Sequence, residues 1–494
     1  MEPAVAADRL THYNGVTRRP FQAAEKRPPI RGKIKRIPNL EITRDLLLRH
    51  DVPGPRYTSY PTVPEWRRDF TPDHHAAALK RASRVPEPLS LYVHLPFCAA
   101  RCLYCGCNTI VPRDRTPLAS YLDDLDREIG RVAELLGSRR RVCQMHWGGG
   151  TPNYLEPEEL HRLFGAVTSR FALTDGAELA VEIDPCTVRG DHLDTFAALG
   201  FNRVSMGVQD LSPAVQKAVG RHQTEEVTRR VFEKCRSLGF GGINMDLIYG
   251  LPLQEPDTWA ETLRTVAALG PDRVAVYGFA FLPERLPHQQ ALAGYPAPTG
   301  PEKYALFAQA RNALLAAGYR PIGMDHFARP DDELCLALDR GRLGRNFMGY
   351  TVAAAPDQIG FGLSAISEAG GAYAQNHKDL PAYHAALAEG GLPTALGITL
   401  TEDDLLRRWV IRELMCNFRL DFGALEHRFG VRFADKFAEE RPELDRLAGE
   451  GFLRLEEDAL RVLPLGAVFV RNICMVFDRR LRRNQAPSGF SRTI

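Results

Sequence analysis

Residues 96–108 read Pro96-Phe97-Cys98-Ala99-Ala100-Arg101-Cys102-Leu103-Tyr104-Cys105-Gly106-Cys107-Asn108. Four of the chain's ten cysteines fall in this stretch. Cys98, Cys102 and Cys105 have the spacing C-x3-C-x2-C, and Cys107 follows one residue later. Structural zinc takes two separated ligand pairs, and no second Cys or His pair of that spacing lies downstream. Three thiolates in one loop make a poor closed zinc site and a good open iron–sulfur site, because Cys thiolates suit iron–sulfur clusters. Three ligands on a four-iron cube leave one iron free for something else. The other six cysteines (Cys143, Cys186, Cys235, Cys335, Cys416 and Cys474) are scattered, and are expected to pack as small buried hydrophobes.

Around this loop the chain is ordinary in bulk. Its 494 residues suggest two or three domains, long enough to bury a large core without disulfide or metal staples. Lys plus Arg is 63 and Asp plus Glu 61, a net charge of +2, which is no general nucleic-acid footprint. Hydrophobic residues make up 44% and charged residues 25%, as in a globular protein. No apolar run reaches the ~18 residues that span a bilayer, and the N-terminus has no apolar export region. A cytoplasmic protein without nucleic-acid or membrane partners is expected. Residues 1–36 hold nine Lys and Arg against three acids. They read as a basic, disordered arm, which leaves the rest of the chain net acidic by four.

From residue 89 a period repeats: a short apolar run, a polar or Gly turn, then a helix-like stretch. The strand candidates are Leu89–Leu95, Val142–Trp147, Leu179–Ile183, Arg203–Val208, Ile243–Ile248 and Val274–Phe279. Helical spacing separates them, for example Tyr121, Leu122, Leu125, Ile129, Val132 and Leu135. Such βα units predict an α/β fold with a parallel sheet curled into a full or partial barrel. The domain reading is a substrate-covering N-terminal segment over 37–88, a catalytic barrel over 89–330, a barrel extension over 331–400 and a small α-rich C-terminal domain over 401–494. That last domain has a winged-helix flavour. Its basic end (Arg479, Arg480, Arg482 and Arg483) reads as a solvated face.

The unusual residues gather where the strands end, which in α/β barrels is where active sites are built. The Cys loop follows the first strand. Gly148-Gly149-Gly150-Thr151-Pro152 follows the second, and lets backbone approach a ligand. Glu182 closes the third, where a carboxylate suits ribose hydroxyls or caps a turn. Gln209 closes the fourth, Asp246 sits late in the fifth, and Ala280 follows the sixth. Arg221 is either a carboxylate partner or a helix-surface cation. Tyr104, inside the Cys loop, suits ligand stacking, whereas Tyr92 reads as a core aromatic.

The loop C-x3-C-x2-C ahead of a βα barrel resembles the radical S-adenosylmethionine (SAM) enzymes. More narrowly, the chain from about residue 38 resembles the oxygen-independent coproporphyrinogen III oxidase (coproporphyrinogen dehydrogenase) family. The resemblance rests on Arg56-Tyr-Thr-Ser-Tyr-Pro-Thr62, His94-Leu-Pro-Phe-Cys98, Cys105-Gly-Cys107-Asn108, His146-Trp-Gly-Gly-Gly-Thr-Pro152, Gly207-Val-Gln-Asp210, Asp246-Leu-Ile-Tyr-Gly-Leu-Pro252, Gly323-Met-Asp-His-Phe-Ala328, Arg345-Asn-Phe-Met-Gly-Tyr-Thr351 and Arg471-Asn-Ile-Cys-Met475. It implies a radical SAM partial (βα)6-type barrel. It also implies that Cys98, Cys102 and Cys105 ligate one [4Fe–4S] cluster whose fourth iron takes SAM. Tyr92, Gly149, Glu182 and Ile366 would contact that SAM. Tyr104, Gly150, Thr151, Gln209, Arg221, Asp246 and Ala280 would contact a second. The family commonly has Phe where Tyr104 stands, so its hydroxyl is an added polar group with no partner legible in the sequence. Cys107 is the catalytic candidate, as hydrogen-atom donor, proton shuttle or tuner of the cluster.

The implied reaction turns two propionates of coproporphyrinogen III into vinyl groups, giving protoporphyrinogen IX and two CO2 in haem biosynthesis. It needs a low-potential electron donor and an electron acceptor, which the sequence does not name, and the family implies a monomer. The tetra-anionic substrate calls for basic groups, with Arg56, Arg345 and His326 as candidates. The nearest rival is the haem-chaperone branch of the superfamily. It generally lacks both the Cys after Cys-Gly and the Tyr-Thr-Ser-Tyr-Pro-Thr segment, and both are present here.

Overall fold

In the computed structural model, which describes residues 42–352, 355–483 and 490–493, six parallel strands carry the site. They are β1 (Leu89–Leu95), β2 (Arg141–Gly149), β3 (Ala172–Ile183), β4 (Arg203–Gln209), β5 (Gly242–Tyr249) and β6 (Arg273–Gly278). The arm expected over 1–36 lies outside the described residues. The chain goes on through β7 (Arg320–Ile322), β8 (His326–Ala328), a separate hairpin of β9 (Gly344–Asn346) and β10 (Gly349–Thr351), β11 (Gln358–Phe361), β12 (Ile366–Ala369), β13 (Ala372–Asn376) and β14 (Thr394–Thr399). The large sheet has the order β14-β13-β12-β11-β1-β2-β3-β4-β5-β6-β8-β7. Its two end strands are not paired with each other, so the curled sheet is a partial barrel.

The expected strands are all present, each within a residue at its start except β3, which begins at Ala172 rather than Leu179. The 331–400 stretch holds a feature that periodicity did not show. Its strand β11 returns to the far edge of the sheet and pairs parallel with β1, Tyr92 opposite Gly360. A parallel return of this kind leaves no local hairpin signal.

Every barrel strand is buried on both sides, and its period of two separates apolar from polar. Leu91, Val93, Met145, Trp147, Val181, Met206, Met245 and Leu247 point into the core shared with the helices. The alternate positions carry a polar interior. At its base, Ser90 Oγ donates to Gln144 Oε1 at 2.8 Å and Gln144 Nε2 donates to Glu178 Oε1 at 2.7 Å. Arg203 then pairs with Glu178 at 2.6 Å and with Glu333 at 2.7 Å. This belt closes the lower end, so functional groups collect at the upper one.

Residues 401–483 form helices around a three-stranded antiparallel sheet of β15 (Arg419–Asp421), β16 (Leu453–Leu455) and β17 (Ala459–Val462), in the order β15-β17-β16. The hairpin-like piece of the sequence reading is β16 and β17. The N-terminal segment packs into the same core: Leu47, Tyr57 and Tyr60 share a cluster with Leu414, Leu444 and Phe477. Tyr57 OH donates to Asp478 at 3.0 Å. Arg471 Nε donates to the Pro55 carbonyl at 2.9 Å. Val52 N–H donates to Thr493 Oγ1 at 3.2 Å. The basic end keeps Arg479 and Arg482 exposed, as expected, and each guanidinium also has an acid partner. Arg479 reaches Asp403 at 3.4 Å, Arg480 reaches Asp404 at 2.9 Å, and Arg482 pairs with Glu440. Not all six scattered cysteines are core residues: Cys235, Cys335, Cys416 and Cys474 are buried, but Cys186 is exposed.

Glu128 fastens the helix Thr116–Leu136 to the returning strands. Its buried carboxylate accepts from Gly362 N–H at 2.8 Å, Asn376 Nδ2 at 2.6 Å and Tyr383 OH at 2.6 Å. Glu128→Ala takes the acceptor from three buried donors, of which only Asn376 Nδ2 keeps another partner, the Gly362 carbonyl at 2.9 Å, and is expected to cost about 3 kcal/mol, read as a lowered melting temperature and a lowered urea midpoint.

Candidate active site

The Cys loop leaves β1 at Leu95 and is held at both ends. Cys98 N–H donates to the Ile110 carbonyl at 3.0 Å, and Ile110 N–H to Pro96 O at 2.7 Å. His94, on the polar face of β1, reaches across it. Its Nε2 donates to the Asn108 carbonyl at 3.0 Å, so its Nδ1 accepts from Tyr92 OH at 3.0 Å. Burial lowers the His94 pKa, in keeping with a neutral ring in that tautomer. Tyr92 stacks on His146 at 5.9 Å.

The three sulfurs stand in different surroundings. Cys98 Sγ lies 3.4 Å from Thr151 Oγ1, and burial pushes its thiol up to about 11. Cys102 Sγ accepts from Arg221 Nη1 at 3.6 Å and is hydrogen-bonded by the Tyr104 hydroxyl. That answers the open question of the Tyr104 partner. Cys105 accepts from the Cys107 thiol and, at 3.4 Å, from its backbone N–H. The Cys107 thiol hydrogen bond is the main cause that brings Cys105 down to about 7. Among the described residues no three His, Cys, Asp or Glu side chains converge as ligands of a single ion. A cube takes one thiolate per iron, so this donor set fits a cluster.

The Gly run is shaped first by its own chain. A Cβ on Gly148 would lie 2.7 Å from the Glu182 carboxylate, one on Gly149 2.6 Å from the His94 ring, and one on Gly150 2.6 Å from the Pro96 carbonyl. Gly149 also takes φ +116°, which L side chains avoid. The bare backbone lets Gly149 N–H donate to Glu182 Oε2 at 3.0 Å, while His146 Nε2 lies 3.0 Å from Oε1. Burial alone raises the Glu182 carboxyl, but these two hydrogen bonds outweigh it and hold the group below its ordinary value. Glu182 therefore stands ionised and aimed, its side chain 42% exposed at the barrel mouth. Ile366, at the start of β12, lies close to β11, since Gly360, opposite Tyr92, lets the Ile366 backbone approach. Gly150 and Thr151 N–H groups donate to Leu95 O at 2.8 Å and Phe97 O at 2.9 Å, which ties the run to the Cys loop.

The ends of β4 to β6 offer acceptors. Asp246 accepts from Ser205 Oγ and Asn244 Nδ2, both at 2.9 Å, and burial raises its pKa. Gln209 takes φ +68°. Its Oε1 and the Asn244 Oδ1 are buried without a partner. Strain and orphaned acceptors together mark a ligand site, and suit a ligand with ammonium and ribose hydroxyl donors, as SAM has. Ala280 lies just past β6, its carbonyl accepting from Gln289 Nε2 at 3.1 Å. Arg221 is buried rather than on a surface. Its donors go to Asp184 at 2.9 Å, Gly207 O at 2.8 Å and Gln223 Oε1 at 2.9 Å as well as Cys102. His94, His146 and Asp184 had no role in the sequence reading. The first two lie in period with Tyr92 and Gln144, which is the signal that places them on the interior face. Arg56 pairs with Asp325, which His326 also reaches at 2.6 Å. Arg345 donates to the Arg56 carbonyl.

Residues 92–266 match the radical SAM superfamily and residues 400–469 the HemN C-terminal domain. The oxygen-independent coproporphyrinogen III oxidase of Salmonella typhimurium is 45% identical over 450 residues, 91% of this chain and 98% of its own. That of Synechocystis is 43% identical over 462 residues, 93% of this chain and 99% of its own. The solved coproporphyrinogen III oxidase (HemN) of Escherichia coli, described as a radical SAM enzyme, is similar with a TM-score of 0.83 and 44% identity, covering 86% of this chain and 97% of its own.

Gly149→Ala forces a Cβ into the His94 ring at a left-handed φ. It is expected to cost about 2 kcal/mol and to weaken SAM binding by displacing the N–H from Glu182, read by thermal melting and equilibrium dialysis of labelled SAM.

Proposed function

The chain belongs to the oxygen-independent coproporphyrinogen III oxidase family, and we propose that it carries out the anaerobic oxidative decarboxylation of coproporphyrinogen III to protoporphyrinogen IX, with one [4Fe–4S] cluster and two SAM molecules. The observation that carries this reading is the single rim on which the three cysteines of one loop, the ionised Glu182 and the unpartnered acceptors of Gln209 and Asn244 meet. Cys98, Cys102 and Cys105 hold the cluster. When bound and reduced, cluster and SAM supply a 5′-deoxyadenosyl radical, since removing hydrogen from an unactivated C–H is beyond any side-chain base.

The chain's own residues bind and orient. Glu182, ionised at neutral pH, takes the ribose hydroxyls of the first SAM beside Tyr92, Gly149 and Ile366. Tyr104, Gly150, Thr151, Gln209, Arg221, Asp246 and Ala280 serve the second SAM, whose ammonium and hydroxyl groups match the acceptors at β4 and β5. Each reacting propionate loses one hydrogen atom from its β-carbon, one electron and CO2, which leaves a vinyl group. The barrel of 89–330 does this chemistry, 331–400 closes its β1 side, and the segment 37–88 with the domain 401–494 walls off the substrate from water. Cys107 aims two hydrogen bonds at Cys105, which supports a role in tuning the cluster rather than in donating hydrogen atoms.

Anaerobically reconstituted protein is expected to hold about four irons per chain and to lose them in Cys98→Ala, Cys102→Ala and Cys105→Ala. With SAM and a reductant it is expected to release CO2 and protoporphyrinogen IX, read by chromatography of the oxidised porphyrins. Colourless protein with stoichiometric zinc, or haem binding without vinyl product, would overturn the reading. Cys107→Ser is expected to keep the iron and to shift the cluster's reduction potential, because hydrogen bonds to sulfur tune it; an unchanged potential returns Cys107 to a packing role.

A further inference from the structure

Beside the barrel mouth, the segment 57–60, the hairpin β9–β10 and the helix Glu402–Asn417 enclose a cleft of about 20 Å³. That is slightly more than one water needs, so it takes one small polar head and no ring. Arg345, Arg408 and Arg412 line it, and no carboxylate does. Arg408 and Arg412 share the single acid Glu368, at 2.5 and 3.2 Å. Arg345 spends a donor on a backbone carbonyl, and its Nε is buried without a partner. The Ser59 hydroxyl, also buried, has none either. Three guanidiniums line the cleft with Glu368 as the one acid paired directly to two of them, and two polar atoms are left unsatisfied, which suits an added anion.

A run of ring contacts links the cleft to the barrel strand β6. The Arg345 guanidinium lies 5.2 Å above the Tyr350 ring, Tyr350 meets His326 edge-on at 5.2 Å, and His326 meets Tyr277 of β6 at 5.8 Å.

We propose that this cleft is a carboxylate subsite that anchors one propionate of the tetracarboxylate substrate, through Arg345, Arg412 and the Ser59 hydroxyl. The inference rests on the substrate reading above. Guanidinium forks bind carboxylates with geometric selectivity, and an anchor here holds one side chain aside while another faces the barrel. The C-terminal domain thereby contributes to substrate selection, not only to packing.

The test is equilibrium binding of coproporphyrin III, the air-stable oxidised form of the substrate, to the cluster-loaded full chain, alongside its uncharged tetramethyl ester. Arg412→Gln and Arg345→Gln are each expected to weaken coproporphyrin III about tenfold, and Ser59→Ala about threefold. The ester is expected to bind wild type and variants alike. In turnover KM rises with kcat, iron content and SAM binding unchanged. Ser59 has no partner to lose, and Glu368 keeps Arg408 when Arg412 is replaced, so these two variants test the site without endangering the fold. Variants that hold coproporphyrin III as tightly as wild type, or that lose the ester in parallel, overturn the subsite alone. Wild type that neither binds nor converts the porphyrin overturns the substrate reading and the subsite with it.

Discussion

The alternation of side chains along the parallel strands is the constraint on which everything else rests. A strand covered by helices on one side and curled around an interior on the other must sort its residues by parity. Odd positions of β1 go to the core with the helices. Even positions, Ser90, Tyr92 and His94, go to the interior and hydrogen-bond Gln144, each other and Asn108. The same sorting sets His146 and Glu182 side by side on β2 and β3, and Ser205 and Asp246 on β4 and β5. A one-residue slip in any register would exchange the two sets. The site is thus less a collection of loops than the top layer of a sheet whose lower layer is already closed by a hydrogen-bonded belt.

Much of this was legible in the sequence, because both signals involved are local. Apolar runs spaced by amphipathic helices announce βα units, and the spacing of Cys98 to Cys107, with no second ligand pair downstream, favours an iron–sulfur cluster over zinc. The placement of Glu182, Gln209 and Asp246 on one rim follows from each standing at a strand end. What escaped depends on contacts far apart in sequence. The return of β11 to β1, which brings Ile366 beside Tyr92, has no hairpin signal. The acids that pair with Arg479, Arg480 and Arg482 lie far off in the chain, so the run of Arg showed its exposure but not its partners. Arg221 was ambiguous as a single residue, and only the packing of Asp184, Gln223 and Cys102 around it decides that it is buried. The glycines show the same limit: the sequence marks a turn open to close approach, but not that Glu182, His94 and Pro96 lie against it.

The charge balance has a similar structure. The body of the chain is net acidic, yet the walls facing the proposed substrate carry Arg56, Arg345, Arg408 and Arg412. Their acids are shared, Asp325 between Arg56 and His326 and Glu368 between Arg408 and Arg412. Sharing Glu368 between Arg408 and Arg412 keeps both guanidiniums oriented while leaving a net positive charge there. A chain with little overall charge can therefore attract a tetra-anion locally, without the non-specific attraction to polyanions that a basic protein suffers.

The clasp between Val52 and Thr493 joins residues 441 apart in the chain. Loop-closure entropy makes so distant a contact slow to find, whereas neighbouring barrel strands close short loops. Residues 52–57 gain their partners Arg471, Asp478 and Thr493 only after more than four hundred intervening residues have been synthesised. The wall that the N-terminal segment builds with the C-terminal domain is consequently expected to form later than the barrel strands it adjoins.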